Sequence, residues 1–114
     1  MIVVTGASGF IGSNVVADLN AAGRTDLLLV DELGSQGKWK NIAKSPIADF
    51  VPPETLFDWL ADRGDQVELV IHMGAVSSTT EPDADLIVRS NFVLSRDLWR
   101  WCAQHQRRLI YASS

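Results

Sequence analysis

Apolar residues along these 114 positions fall into short unbroken runs, and between the runs they recur every three or four places. The runs are Ile2-Val3-Val4, Leu27-Leu28-Leu29-Val30 and Leu109-Ile110-Tyr111-Ala112; residues 67–73, interrupted by Glu68 and His72, and Ile47-Ala48-Asp49-Phe50, interrupted by Asp49, also read as strands. An unbroken apolar run of this length fits a strand covered on both faces, as parallel sheets require. Ile11, Val15, Val16 and Leu19 keep helical spacing, and Gly23 stands just past the last of them as a stop. Pro52 and Pro53 open a second helix over 54–63, with Leu56, Phe57 and Leu60 on its apolar face and Gly64 closing it. A long third helix is predicted from about 84 to 106. Residues 32–46 show no period and read as a loop with a helical turn near Trp39. Five strands alternating with helices predict one α/β domain, a doubly wound parallel sheet of order 3-2-1-4-5.

On the long helix Ile87, Asn91, Leu94, Leu98 and Trp101 share one face. Asn91 lies inside that apolar stripe, and a buried amide without partners costs about 1–3 kcal/mol. It therefore needs a specific partner, either a neighbouring strand's backbone or the surroundings of a bound cofactor. Trp99 and Trp101 are about 200° apart on a helical wheel, so they cannot both face the sheet. One of them, with Val88 and Phe92, makes a second apolar face that calls for a further layer, from more chain or from another subunit.

The first strand runs directly into Thr5-Gly6-Ala7-Ser8-Gly9-Phe10-Ile11-Gly12 and then into a helix. Strand, glycine turn and helix in that order are the context of a dinucleotide-binding fingerprint. Gly6 permits the tight turn, Gly9 lets backbone approach a pyrophosphate, and Gly12 lets helix and strand pack closely. The helix start, with roughly half a positive charge and unpaired N–H groups, then faces the phosphates. A glycine triplet alone could be a plain connection. Here Asp31 also ends the second strand about twenty residues after Gly12, where a ribose-binding acid belongs.

Composition narrows the partners. The net charge is −4, and Lys38, Lys40, Arg107 and Arg108 make no basic surface interleaved with aromatics, so nucleic acid is not an expected partner. No stretch of 18 apolar residues or signal-like N-terminus occurs, and Cys102 is the only cysteine, so a cytoplasmic protein with no membrane partner is expected. His72 and His105 have no partners at metal-ligand spacing, so no metal is expected and both read as structural. No serine sits in a nucleophile elbow, and Cys102 reads as a small core residue.

The Gly-x-x-Gly-x-x-Gly spacing resembles the short-chain dehydrogenase/reductase superfamily. Thr-Gly-x-x-Gly-Phe-Ile-Gly, with Ser77-Ser78-Thr79-Thr80-Glu81 and Tyr111-Ala112-Ser113-Ser114, resembles its extended branch, the nucleotide-sugar epimerases and dehydratases. The resemblance implies a Rossmann-type domain over residues 1–114 and a sugar epimerised by transient oxidation. It implies that Phe10 and Ile11 lie at the pyrophosphate, Asp31 and Glu32 at the adenosine ribose, Lys38 near a 2′-phosphate and Asp49 at the adenine edge. Met73, Gly74, Ala75, Val76 and Ser77 would line the nicotinamide side, with Asn91 in support. Ser77, Ser78 and Thr79 would reach the sugar, and Ser114 would be the catalytic serine that hydrogen-bonds the reacting hydroxyl. Asp31 and Glu32 disfavour a 2′-phosphate, whereas the resemblance favours NADP; NADP is the expectation, with NAD the alternative. The tyrosine–lysine pair that the resemblance implies is not present. Tyr111, the only tyrosine, lies in a strand with no lysine after it, so the pair and the rest of the sugar site are expected in chain beyond Ser114. A nucleotide sugar and a second copy meeting through the long helix are the expected partners. The alternatives are another reductase or dehydratase of the extended branch, or a non-catalytic dinucleotide-binding module.

Overall fold

The computed structural model describes residues 1–32, 40, 42–73 and 84–111, with the backbone alone for 84–91. Five strands, β1 (Ile2–Thr5), β2 (Leu27–Val30), β3 (Asp49–Val51), β4 (Leu69–His72) and β5 (Arg108–Tyr111), form one sheet in the order β3-β2-β1-β4-β5. All four pairings are parallel. Among the described residues, the α-helices α1 (Phe10–Ala21), α2 (Leu56–Arg63) and α3 (Ala84–His105) lie between strands in the chain. The order is the one expected from the sequence.

The unbroken apolar runs have a direct cause. Ile2 and Val4 of β1 join Leu27 and Leu29 of β2 and Val16 of α1 in one buried cluster. Val3, Leu28 and Val30 turn to the other face and meet Leu56 and Leu60 of α2 with Leu98 and Cys102 of α3. Successive strand residues point to opposite faces, so a sheet covered on both sides needs apolar residues at every position. β1 and β2 are buried throughout.

Some boundaries move by a residue or two. β3 starts at Asp49 rather than Ile47; Ile47 packs beside the core, and the Ala48 N–H already donates to Leu27 O at 3.0 Å. The predicted helix over 54–63 divides into a 3-10 turn at Pro53–Thr55 and then α2. Its turn is closed by Thr55 N–H to Pro52 O at 3.1 Å, the prolines having no N–H of their own to give. The helical turn expected near Trp39 lies outside the described residues.

On α3, Leu98 and Cys102 are buried, and Leu94 and Trp101 pack beside them. Trp101 lies so close to Gly64 that a Cβ there would come within 2.7 Å of its ring. Trp99 points the other way and is 69% exposed, with Phe92 at 64%. The two tryptophans thus diverge as the helical wheel requires. The side chains of Ile87, Val88 and Asn91 lie outside the described residues.

Candidate functional site

The C-terminal ends of β1, β2 and β4 lie at one end of the sheet, and of the sequence-predicted residues Gly6, Gly9, Gly12, Asp31 and Met73 follow those strands there. Gly6 leaves β1 at φ +65°, a conformation open mainly to glycine. Its N–H donates to Val30 O at 2.8 Å, and Gly9 N–H folds back onto Gly6 O at 3.2 Å. Ser13 N–H to Gly9 O, at 2.8 Å, begins the α1 ladder. The amides of Phe10, Ile11 and Gly12 therefore stand ahead of that ladder.

The three glycines serve different ends. A Cβ on Gly12 would lie 2.1 Å from Gly6 O and 3.0 Å from Ala7 Cα, so no side chain fits between helix and turn. A Cβ on Gly6 would meet Met73 Cβ at 3.3 Å. Gly9 is different: its backbone is extended, at φ −71° and ψ 172°, and among the described residues a Cβ would touch only Gly6 O at 3.5 Å, an ordinary contact. The fold itself does not ask for glycine at position 9.

Gly9 is also the N-cap of α1, with no side-chain cap and no acidic residue in the first turn. The partial positive charge of the helix start is thus left uncompensated by its own turn. Phe10 and Ile11 project from it, 81% and 64% exposed.

Asp31 follows β2 and is buried. Its Oδ2 accepts both the Ser8 N–H, at 3.0 Å, and the Ser8 hydroxyl, at 2.5 Å, while Oδ1 accepts Glu32 N–H at 2.7 Å. A carboxylate offers about four acceptor positions, so room is left for a ligand hydroxyl. Ser8 was not singled out in the sequence, where it is one of the unspecified residues inside Gly-x-x-Gly. Its polarity inside the turn was the available signal; its nearness to Asp31, 23 positions on, was not.

At the end of β4, His72 is buried and bonded at both ring nitrogens: Nδ1 to Thr5 Oγ1 at 2.5 Å and Nε2 to Ser95 Oγ at 2.8 Å. Met73 N–H donates to Thr5 Oγ1 at 3.2 Å. Burial holds the imidazole below its ordinary pKa. This is the structural histidine the sequence suggested.

Asp49 stands apart from these groups. It opens β3 opposite Leu28 and is exposed, with its Oδ1 accepting Phe50 N–H at 2.7 Å. Lys38, Gly74, Ala75, Val76, Ser77, Ser78, Thr79 and Ser114 lie outside the described residues, as does the Asn91 side chain. Among the described residues no group of three metal-ligating side chains occurs, and no helix is long and apolar enough to cross a membrane.

A parallel, doubly wound sheet whose first strand turns on glycine into an uncapped helix, beside a carboxylate at the end of the next strand, defines a Rossmann-type fold. The chain belongs to the NAD dependent epimerase/dehydratase family, whose model matches residues 2–114. It is 46% identical over 116 residues to the ADP-L-glycero-D-manno-heptose-6-epimerase of Fusobacterium nucleatum subsp. nucleatum, covering 100% of this chain and 35% of that protein. To the protein of the same name from Alkalilimnicola ehrlichii it is 47% identical over 116 residues, covering 100% and 36%. Among solved structures, the Thermus thermophilus UDP-glucose 4-epimerase complex with NAD superposes with a TM-score of 0.73 at 28% identity, over 99% of this chain and 37% of that one. The chain thus spans about a third of the length of these relatives.

Proposed function

We propose that these residues are the cofactor-binding portion of a nucleotide-sugar epimerase, with an ADP-activated glycero-manno-heptose as the sugar. The observation that carries this reading is the turn at Gly6–Gly12. It presents main-chain amides at an uncapped helix start, next to an acid held in place by Ser8. The sugar rests on the match of all of this chain to about a third of each of the two heptose epimerases.

The residues fit a dinucleotide. The Phe10 and Ile11 amides would receive the diphosphate, and the bare Cα of Gly9 would let it come close. Asp31, oriented by Ser8, would accept a ribose hydroxyl. Met73, packed on Gly6, would form the start of the nicotinamide wall. When bound, a nicotinamide dinucleotide supplies the reversible hydride acceptance that an epimerisation through oxidation needs. Orientation and exclusion of water fall to the chain.

Asp31 and Glu32 support NAD over NADP, since carboxylates beside the ribose repel a 2′-phosphate. The NADP expectation depended on the resemblance and on Lys38, which lies outside the described residues. We therefore place NAD first. A cytoplasmic site of action and pairing of two copies through α3 complete the proposal; the exposed Phe92 and Trp99 support the pairing.

Calorimetric titration with each nucleotide tests it. NAD is expected to bind at least tenfold more tightly than NADP. Asp31→Asn should weaken NAD about tenfold, the effect of losing a charged hydrogen-bond acceptor, and narrow the gap between the two. No heat with either nucleotide would overturn the reading.

A further inference from the structure

One buried titratable group has no part in the proposed cofactor contacts, yet it lies directly behind them. His72 is enclosed where β1, β4 and α3 meet, and its ring is 5.3 Å from that of Tyr111 on β5. Each ring nitrogen has one hydroxyl partner, Thr5 on β1 and Ser95 on α3. Thr5 Oγ1 also accepts the Met73 N–H, and Thr5 O accepts it more loosely at 3.4 Å. Thr5 immediately precedes Gly6, and Met73 is the residue Gly6 packs against. The imidazole is thus one hydroxyl away from both backbone segments that frame the glycine turn.

The hydrogen bonds select a tautomer. Thr5 Oγ1 already accepts Met73 N–H, so its own proton is best placed on His72 Nδ1. Nε2 then carries the ring proton and donates to Ser95 Oγ. In the opposite tautomer the Thr5 hydroxyl proton would be buried with no acceptor among the described residues, a costly arrangement. The directed series runs from Met73 N–H to Thr5 Oγ1, from Thr5 O–H to His72 Nδ1, and from His72 Nε2–H to Ser95 Oγ.

We propose that His72 is a positioning residue for the glycine turn: through the Thr5 hydroxyl it sets the relation between Gly6 and Met73, and so the spot where a diphosphate meets the start of α1. The consequence for a diphosphate rests on the function proposed above; the control of turn geometry does not. A neutral, buried ring suits the role because both hydrogen bonds keep their direction. Burial, by lowering the pKa, acts the same way.

Three substitutions separate this role from mere filling of space. In His72→Asn the amide oxygen can take the place of Nδ1 and keep the Thr5 bond. In His72→Gln the longer side chain stands in for Nε2, reaching Ser95 and forfeiting Thr5. Thr5→Val removes the hydroxyl at nearly constant shape. Amide hydrogen exchange by NMR should show Gly6 and Met73 exchanging about tenfold faster in His72→Gln and Thr5→Val. Both should stay near wild type in His72→Asn, with Val16 and Leu98 unchanged in all three. The 15N signals of His72 in the wild type should show Nδ1 bare and Nε2 protonated. NAD dissociation constants should rise about tenfold in the two variants with faster exchange and in those alone.

The proposal is overturned if Gln preserves exchange better than Asn, which is the order expected from volume. Exchange that rises evenly across the sheet, or the opposite tautomer, overturns it too. If the wild type binds no NAD, the function proposed above fails, and the exchange rates still decide whether His72 controls the turn.

Discussion

Gly9 and Gly12 look equivalent in the sequence, yet the structure separates them by what a single methyl group would strike. At Gly12 it would collide with the backbone oxygen of Gly6, so Gly12→Ala should cost about 3 kcal/mol, the upper range for overpacking. At Gly9 the backbone is extended and the contact ordinary. Gly9→Val should therefore leave the melting temperature within about 2 °C of wild type, as a surface change of under 0.5 kcal/mol would, and abolish NAD binding by occupying the diphosphate's approach. Thermal denaturation with nucleotide titration checks both; normal NAD affinity in Gly9→Val would remove the diphosphate from this turn. Spacing alone singled out Gly6, Gly9, Gly12 and Asp31 as candidates. It gave no hint that Ser8 holds Asp31 or that Thr5 serves both Met73 and His72, because partners distant in the chain leave no periodic trace.

At the level of elements, helix ends show how local rules and packing share control. Gly23 ends α1 at φ +89°, with Gly23 N–H to Asn20 O and Arg24 N–H to Leu19 O, both at 2.9 Å. This is a Schellman closure, and glycine was a reliable sign of it. α3 ends in the same way, with Gln106 N–H to Ala103 O at 3.4 Å and Arg107 N–H to Cys102 O at 2.8 Å. There the left-handed residue is Gln106, at φ 57°. A side chain in that region costs roughly 1–2 kcal/mol, part of which glycine returns as unfolded-state entropy. Gln106→Gly should stabilise the chain by about 0.5–1 kcal/mol, raising the melting temperature by a few degrees. A lower melting temperature would contradict the strain argument. The long helix was legible to within a residue at its C-terminal end because its period is sustained. β3 was placed two residues early, since a three-residue edge strand is too short for a pattern and its start is set by pairing with β2.

Across the whole molecule, the edge of the sheet opposite the glycine turn is tied by charge. The Met1 ammonium lies 3.2 Å from Asp26 and donates to Gln66 O at 2.9 Å, while Arg24 bridges Asp26, at 2.9 Å, and Glu68. The Arg24 guanidinium, followed by the Met1 ammonium, holds the Asp26 carboxyl well below its ordinary value of 3.8. A carboxyl depressed in the folded state stabilises above its unfolded pKa and loses that contribution as pH falls through the folded one. Stability should therefore decline below about pH 4, and Asp26→Asn should flatten that part of the acid titration of the melting temperature. An unchanged slope would show that the cluster adds nothing. The outer face of α3 presents a second question at this scale. Trp99 and Phe92 line an apolar groove of about 590 Å³ between α3 and β5. If two copies meet there, sedimentation velocity should show a dimer in the wild type and a monomer in Trp99→Glu; a wild-type monomer would refute the pairing.

By itself, the sequence determined the alternation of strands and helices, the sheet order and the glycine turn between β1 and α1, because each is written in local spacing or in chirality. Tertiary structure decided that packing of α1 on the turn requires glycine at position 12, what holds Asp31, and how His72 is satisfied. The last two depend on contacts between residues 23 to 68 positions apart, which arise only once the strands lie side by side.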